Sequence, residues 1–343
     1  MSNSGKYIKK LEESISESGN ILLVCHVNPD GDAVGSMLAL YSYLSDRGRE
    51  VSMLSPNYLQ EFLLWMTDAD KIQIFLRNRK KAQKLIESAN LIIFLDFNSP
   101  SRLGEAEKII TRATAKKIII DHHVDPSDMA DFIISEPSYC STAELLHNLI
   151  TGMNKGVAFS TPAYNEAIYV GIITDTGNFE HGSYTGDTLR IIADLIDSGV
   201  GKEKVFDRVY NNFSYERMRL QGFALHSRMK ILDGYPVAYI WLTKEDLNQF
   251  KYSKGDTEGF VNMPLSIKGI TVSALFVEKD GFIKVSLRSK GSFSVNDFAA
   301  SYFNGGGHIN AAGGEYYDSL EKSITYFEKT IFEVMSATQT NNN

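Results

Sequence analysis

The sequence predicts an α/β fold: a parallel sheet with helices on both faces, then a helical connector and a smaller α+β domain. Three observations carry that expectation. Short apolar runs alternate with longer stretches of helical periodicity through the first half of the chain, the signature of strands buried on both faces and joined by crossover helices. A second pattern, strict alternation around Asp280-Gly281, marks a hairpin late in the chain. A length of 343 residues exceeds what a single ordinary core supports and points to roughly two domains.

Taken in order, Tyr7, Leu11 and Ile15 recur at helical spacing and predict an opening amphipathic helix. The runs ILLVCH (21–26), EVSML (50–54), LIIFLD (91–96) and KKIIID (116–121) are too short for helices and read as strands. Between the first two, Val34, Met37, Leu38, Tyr41 and Leu44 line one face of a helix over 33–47, and Gly48 is a C-cap candidate. Ser141 with Glu144 forms a capping-box pattern, and Thr161-Pro162 combines a cap with the favoured first-turn proline. The apolar run YVGIIT, closed by Asp175, is counted with the strand ends. From about 200 to 230 the chain reads as helix, with Val205, Val209, Met218, Phe223 and Leu225 as its apolar positions. Val272, Ala274 and Phe276, then Ile283, Val285 and Leu287, form the two arms of the hairpin. The expected division is a first domain over 1–198, a connector over 199–229, a second domain over 230–337 and a disordered tail over 338–343. No internal repeat is visible.

Composition excludes several classes. With 22% charged and 43% hydrophobic residues the chain is not globally disordered. A net charge of −7 argues against long duplex nucleic acid, whose binding is driven by a basic surface that displaces counterions. A short anionic ligand held by a few cations remains compatible. Cys25 and Cys140 are the two cysteines, too few for a disulfide framework, and a reducing cytosol fits. The polar N-terminal stretch does not read as a signal peptide. The apolar runs at 21–25, 91–95 and 168–173 fall far short of the roughly 20 residues a membrane span needs. The expectation is a cytoplasmic protein that binds no membrane.

Acidic and imidazole residues gather at the ends of the predicted strands. His26, Asp30 and Asp32 lie in HVNPDGDAVGS, Asp96 closes LIIFLD, Asp121, His122 and His123 close KKIIID, and Asp175 follows YVGIIT. In an open parallel sheet the carboxyl ends of the strands converge on one crevice. So many carboxylates cannot stay ionised together without cations, because close like charges raise one another's pKa. Oxygen ligands with some imidazole suit Mn²⁺. Asp96 and Asp175, far apart in sequence, are placed to bridge two ions, and a pair of divalent ions is the apparatus of phosphoester hydrolysis. Each piece alone has a plainer reading: Asp30-Gly31-Asp32 as turn and N-cap, Asp96 as cap of a helix begun by Ser99-Pro100, Asp121–His123 as a polar loop. Together, those readings require every strand end to be acidic by coincidence.

A second constellation lies near the C-terminus. Gly305, Gly306 and Gly307 can turn their N–H groups into an anion-binding concavity, and His308 follows. Ala311, Ala312 and Gly313 permit close approach, while Arg288 with the Ser289 hydroxyl can grip phosphate. His181 is read as a surface residue, His147 and His226 as structural or solvated, and Cys25 as a small buried hydrophobe. Tyr210, Phe213 and Tyr215 are read as packing aromatics rather than base-stacking ones.

These motifs resemble the DHH phosphoesterase family. The likeness runs through HVNPDGDAVGS, Asp96, the triplet Asp121-His122-His123 and Asp175 in ITDTG, then through Arg288-Ser289 and GGGHINAAGG, which resemble the DHH-associated C-terminal domain. Length and domain pair look most like the bacterial oligoribonucleases that also remove the 3′-phosphate of 3′-phosphoadenosine 5′-phosphate (pAp). The resemblance implies one Mn²⁺ on His26, Asp30 and Asp96 and another on Asp32, Asp96, His122 and Asp175, with Mg²⁺ or Co²⁺ as alternatives. It implies that Asp96 and Asp175 serve catalysis through these ions and that His123 faces the scissile phosphate. Arg288, Ser289, Gly305, Gly306, Gly307 and His308 would hold the substrate's terminal phosphate and sugar across an interdomain cleft, which would limit substrates to di- to tetranucleotides. The implied partners are short single-stranded RNA, dinucleotides and pAp, and a homodimer is compatible. The rival expectations are a phosphodiesterase of linear or cyclic dinucleotides, of the pApA type, and a non-catalytic nucleotide-binding protein.

Overall fold

Burial of the short apolar runs organises the first of two units. A computed structural model of the chain describes residues 3–180 and 183–340, with side chains over 5–180 and 183–336. The units divide between Asn212 and Phe213.

In the first unit, helix α1 (Asn3–Glu17) leads into strand β1 (Asn20–Val24), helix α2 (Gly31–Asp46), strands β2 (Glu50–Ser55) and β3 (Gln73–Ile74), and helix α3 (Arg79–Ser88). Strand β4 (Leu91–Leu95), helix α4 (Glu107–Arg112), strands β5 (Lys116–Asp121) and β6 (Phe132–Ser135), and helices α5 (Thr142–Met153), α6 (Pro162–Asp175), α7 (Gly186–Asp197) and α8 (Lys202–Tyr210) complete it. The six strands form one parallel sheet in the order β3-β2-β1-β4-β5-β6. Alternate residues of each central strand enter separate cores. Ile21, Leu23, Ile93, Leu95, Ile118 and Ile120 pack with α1, α2, α5 and α6, while Leu22, Val24, Ile92, Phe94 and Ile119 pack with α3, α4 and the 3₁₀ turn before α4. Burial on both faces is why these strands read as unbroken apolar runs. The order reverses between β1 and β4, so a crevice opens at their carboxyl ends.

The run before Asp175 is not a strand. It forms the last turns of α6, begun by the Thr161 side chain accepting from Tyr164 N at 3.2 Å with Pro162 in the first turn. Ile168, Val170, Ile172 and Ile173 are all buried, and a helix apolar on every side looks the same in sequence as a two-faced strand. Close approach of α2 and α6 depends on glycine. A Cβ on Gly35 would lie 2.5 Å from the Ala167 carbonyl oxygen, and one on Gly171 would lie 2.5 Å from Ala143 Cβ and 3.1 Å from Asp32 Oδ1. Gly48 ends α2 at φ +68°, its N–H donating to the Ser45 carbonyl at 2.9 Å.

The stretch expected as one connector breaks at 211–214, where the Ser214 side chain caps a new helix; α8 belongs to the first unit and that helix, α9 (Tyr215–Ser227), to the second. After α9 come strands β7 (Met229–Ile231) and β8 (Val237–Leu242), helix α10 (Lys244–Gln249), strands β9 (Val272–Glu278) and β10 (Ile283–Ser289), helix α11 (Val295–Tyr302), strands β11 (Gly306–His308) and β12 (Ala311–Tyr316), and helix α12 (Leu320–Thr340). Their mixed sheet runs β11-β12-β10-β9-β8-β7, antiparallel except for β8 beside β9. The predicted hairpin is β9–β10, turned by Gly281 at φ +86°. Phe276, Phe298, Phe303 and Phe327 dominate the core under α11 and α12, and Leu220, Ala224, Ile240 and Leu275 lie in the core on the other face. Residues 338–340, expected to be disordered, continue α12, because adding a residue to a formed helix fixes few dihedrals for one hydrogen bond; residues 341–343 lie outside the described residues.

The glycine contact is testable. Gly35→Ala drives a methyl into backbone and is expected to destabilise the first unit by about 1–3 kcal/mol, whereas Gly222→Ala, in open space on α9, is expected to stabilise by about 0.5–1 kcal/mol. Urea denaturation of both variants against the parent chain measures this; a neutral Gly35→Ala would show that α6 yields freely.

Candidate active site

The loop after β1 supplies three side chains. Val27 N–H donates to the Arg102 carbonyl at 2.7 Å, and Asn28, at φ +52°, turns the chain toward Pro29 and Asp30. Asp30 is the N-cap of α2, its Oδ1 accepting from Ala33 N at 3.0 Å. The capping reading of Asp30-Gly31-Asp32 is thus correct and coexists with the functional one: the same carboxylate lies 3.9 Å from His26 Nε2 and is half exposed. Asp32, in the first turn of α2, is only 1% exposed. Its Oδ2 accepts from Thr142 N at 2.7 Å and its Oδ1 from Ala143 N at 2.8 Å.

Asp96 follows β4 in the left-handed region at φ +56°, uncommon for a residue with a side chain and frequent at functional sites. It does not cap the 3₁₀ turn beginning at Pro100, whose N-cap position is Ser99. Its Oδ2 sits 3.2 Å from His26 Nε2, and its Oδ1 lies 3.7 Å from His122 Nε2 and 3.4 Å from His123 Nδ1. Asp175, at the end of α6, lies 3.4 Å from His122 Nε2. Three groups of possible ligand atoms result: His26, Asp30 and Asp96; Asp32, His122 and Asp175; and Asp96, His122 and His123. Asp96 belongs to two of them, Asp175 to one.

Electrostatics divides the cluster. Burial raises the pKa of Asp32 well above the usual carboxylate range, helped by the charges of Asp96, Asp175 and Asp30. Burial likewise lifts Asp175 to about 7, against the pull of His122. Burial would raise Asp96 too, yet the imidazoles of His26, His123 and His122 overcome it and hold that carboxyl low. His26 is pulled down by burial and pushed up further by Asp30 and Asp96, to about 9. Such crowding is what bound cations relieve.

The donors fit a metal. His26 Nδ1 lies 2.8 Å from the Val27 carbonyl and His122 Nδ1 3.3 Å from that of Tyr139; a carbonyl only accepts, so both rings carry the proton on Nδ1. That turns each Nε2 to the carboxylates, and His26 Nε2, buried without a hydrogen bond, is the atom that would give up its proton to a metal. A backbone carbonyl fixing the far nitrogen is the usual support of a metal-binding imidazole. His123 differs: its Nδ1 pairs with Asp121 Oδ1 at 2.7 Å. Burial lowers its pKa, but Asp121 and Asp96 raise it on balance. Asp121, fully buried, is the member of the triplet to which the sequence reading gave no role, and Thr142, whose Oγ1 donates to Asp96 Oδ1 at 3.1 Å, is a site neighbour that it did not single out. The capping-box pattern was the available signal for Thr142. Half of that box forms: Ser141 accepts from Glu144 N at 3.0 Å, but the Glu144 carboxylate turns to Cys140 N at 2.9 Å.

The second constellation lies in the other unit. Gly306, Gly307 and His308 form edge strand β11 rather than a concavity. The Gly305 N–H donates to the Ala299 carbonyl at 3.2 Å and the Gly307 N–H to Asn296 Oδ1 at 2.7 Å. These glycines serve strand approach: a Cβ on Gly305 would lie 1.9 Å from the Gly313 carbonyl oxygen, and one on Gly307 2.4 Å from that of Ala311. Ser289 is buried, donating to the Phe293 carbonyl at 2.7 Å and accepting from Asn310 at 2.8 Å, so its hydroxyl proton is already committed. Arg288 and His308 flank Ala311 in a single cross-strand row and so share a face of the sheet.

Among the lesser candidates, His181 lies outside the described residues. His147 is held at 3.1 Å from the Tyr164 hydroxyl, and His226 is exposed. Cys25 is buried, and that burial pushes its thiol up to about 12. The Tyr210 hydroxyl donates to the Ile173 carbonyl at 2.7 Å, whereas Phe213, in the 211–214 break, and Tyr215, at the start of α9, are exposed rather than packed in a core, with the Arg217 guanidinium 3.5 Å from the Phe213 ring centroid.

With the geometry in place, likeness to known proteins is informative. Residues 20–172 match the DHH family N-terminal domain and residues 234–337 the DHHA1 domain. The chain is 30% identical over 302 residues to the bifunctional oligoribonuclease and PAP phosphatase NrnA of Thermus thermophilus, covering 86% of this chain and 83% of that one. It is 28% identical over 309 residues to the protein of the same name from Bacillus subtilis, covering 90% and 93%. A crystal structure of an exopolyphosphatase-related protein from Bacteroides fragilis superposes with a TM-score of 0.91 at 40% identity, covering 96% of each chain. The chain belongs to the DHH family, and it is a hydrolase. Among the described residues no helix is long and apolar enough to cross a membrane.

Asp96→Ala removes the carboxylate common to two groups. Divalent-metal content measured after dialysis, and phosphodiester turnover, are both expected to fall more than ~100-fold, since even outer-shell partners are worth about 10–100-fold. Retained turnover would overturn the grouping.

Proposed function

We propose that this chain uses two divalent ions, Mn²⁺ by preference, to hydrolyse di- to tetraribonucleotides to mononucleotides and to remove the 3′-phosphate of pAp. The observation that carries the proposal is the sharing of Asp96 between groups of carboxylate and imidazole donors at the reversal point of the sheet. The names of the Thermus and Bacillus relatives support the substrate class, and oxygen donors with imidazole support Mn²⁺.

In this reading His26, Asp30 and Asp96 hold one ion, and Asp32, His122, Asp175 and Asp96 the other. When bound, such a pair supplies Lewis-acid stabilisation of a phosphoryl oxygen and a nucleophile at neutral pH. The chain's own residues do the rest. Asp121 accepts a hydrogen bond from His123 Nδ1 and so fixes the ring; the raised pKa of His123 favours the form whose Nε2 can donate to a phosphate or leaving oxygen. In the second unit Arg288, half-buried with Nη1 donating to the Leu287 carbonyl at 2.9 Å, is pre-set to grip a terminal phosphate. His308 is assigned to the sugar on the same sheet face. The small Ala311 between them leaves room, and the glycines of β11 keep that edge flat. A net charge of −7 suits short substrates, which need no extended cationic track.

A 5′-labelled diribonucleotide with Mn²⁺ is expected to release labelled mononucleotide, with pAp also dephosphorylated. Inactivity on both, with hydrolysis of a cyclic dinucleotide, would transfer the assignment to cyclic-dinucleotide phosphodiesterases. Arg288→Ala is expected to raise KM by roughly 30-fold, the equivalent of about 2 kcal/mol for a charged hydrogen bond, and to leave Mn²⁺ content unchanged. Lost metal would show that Arg288 acts elsewhere.

A further inference from the structure

The first turn of α5 contains none of the assigned ligands, yet it holds two of the carboxylates. Thr142 N and Ala143 N each donate to one oxygen of Asp32, and Thr142 Oγ1 donates to Asp96 Oδ1 at 3.1 Å. We propose that Thr142 is a positioning residue that sets the Asp96 carboxylate plane, presenting Oδ2 toward His26 and Oδ1 toward His122; this rests on the metal reading above.

Asp96 needs such a partner. Its backbone is held by a bond from its N–H to the Ile120 carbonyl at 3.1 Å, which does not set the plane of the carboxylate. The terminal torsion of an aspartate is broad, so something outside the residue must choose the plane. The Thr142 hydroxyl is placed to do so. It is fully buried, and a β-branched side chain is stiff at χ1. A threonine within a helix commonly turns its hydroxyl back to the carbonyl one turn earlier; at the first position of α5 no such helical carbonyl exists, and the proton goes to Asp96. The turn itself is anchored independently of the carboxylates. Ser141 accepts from Glu144 N, and Glu144 accepts from Cys140 N at 2.9 Å and from the Thr188 hydroxyl at 2.6 Å. A rigid support built outside the ligand set is what fixes ligand direction.

The test compares Thr142→Val and Thr142→Ser in the full chain, with Mn²⁺ affinity read by titration calorimetry and the metal-free fold by circular dichroism and thermal midpoint. Valine keeps the branched shape and removes the donor; affinity is expected to fall about 10–100-fold, with the metal-free fold retained. Serine keeps the donor and is expected to restore affinity. Wild-type affinity in Thr142→Val, or a serine variant as weak as valine, overturns the inference and leaves the metal reading intact. A parent chain that takes up no Mn²⁺ overturns the metal reading and the inference with it. Should Thr142→Val fail to fold, Thr142→Ala removes the same hydroxyl and is judged by the same outcomes.

Discussion

Like charges held within a few ångströms of one another in a poorly solvated crevice raise each other's pKa, and the first unit brings Asp30, Asp32, Asp96 and Asp175 into one such crevice. Most of what surrounds them answers that repulsion. Three imidazoles enclose Asp96 and keep it ionised. The amino end of α5 meets Asp32, where two backbone N–H groups and the positive end of a helix dipole favour the anion. These devices are partial, since Asp32 and Asp175 stay shifted upward. A bound cation would supply the remaining compensation, and Nε2 of His26 and of His122 faces the carboxylates that could hold it.

The same crowding sets demands on packing. Asp32 and Asp175 come from different helices, and they meet only because α2 and α6 approach closely across Gly35 and Gly171. Gly31 contributes similarly, since a Cβ there would fall 2.3 Å from Thr174 Oγ1. The order of strands places β1 and β4 side by side, so that His26 and Asp96 follow adjacent strand ends. Fold and site share one origin: the central strands are apolar runs buried on both faces, and His26, Asp96 and Asp121 stand where those runs end.

That shared origin explains which parts were legible. Strands β1, β4 and β5 announce themselves as unbroken apolar runs closed by His26, Asp96 and Asp121, and the convergence of parallel strand ends does the rest. The element carrying Asp175 was misread, because α6 is buried all round and its periodicity is masked, even though Thr161-Pro162 marks its start. Thr142 escaped notice since a capping pattern locates a helix end without saying what it faces. The glycines at 305–307 have one composition and two meanings, an anion cradle or a close strand contact, and the second depends on Gly313 and Ala311 lying opposite them, a register no local pattern reveals.

Asp175 shows what such a site exacts from its host. Its carboxyl, lifted to about 7 by burial and by the charges of Asp96 and Asp30, burdens the cation-free chain near neutrality; an uncharged amide in its place would remove that burden and, in the proposed reading, a ligand with it. At this position the cation-free fold and the proposed site make opposite demands, the trade between durability and function that a binding site imposes on its scaffold.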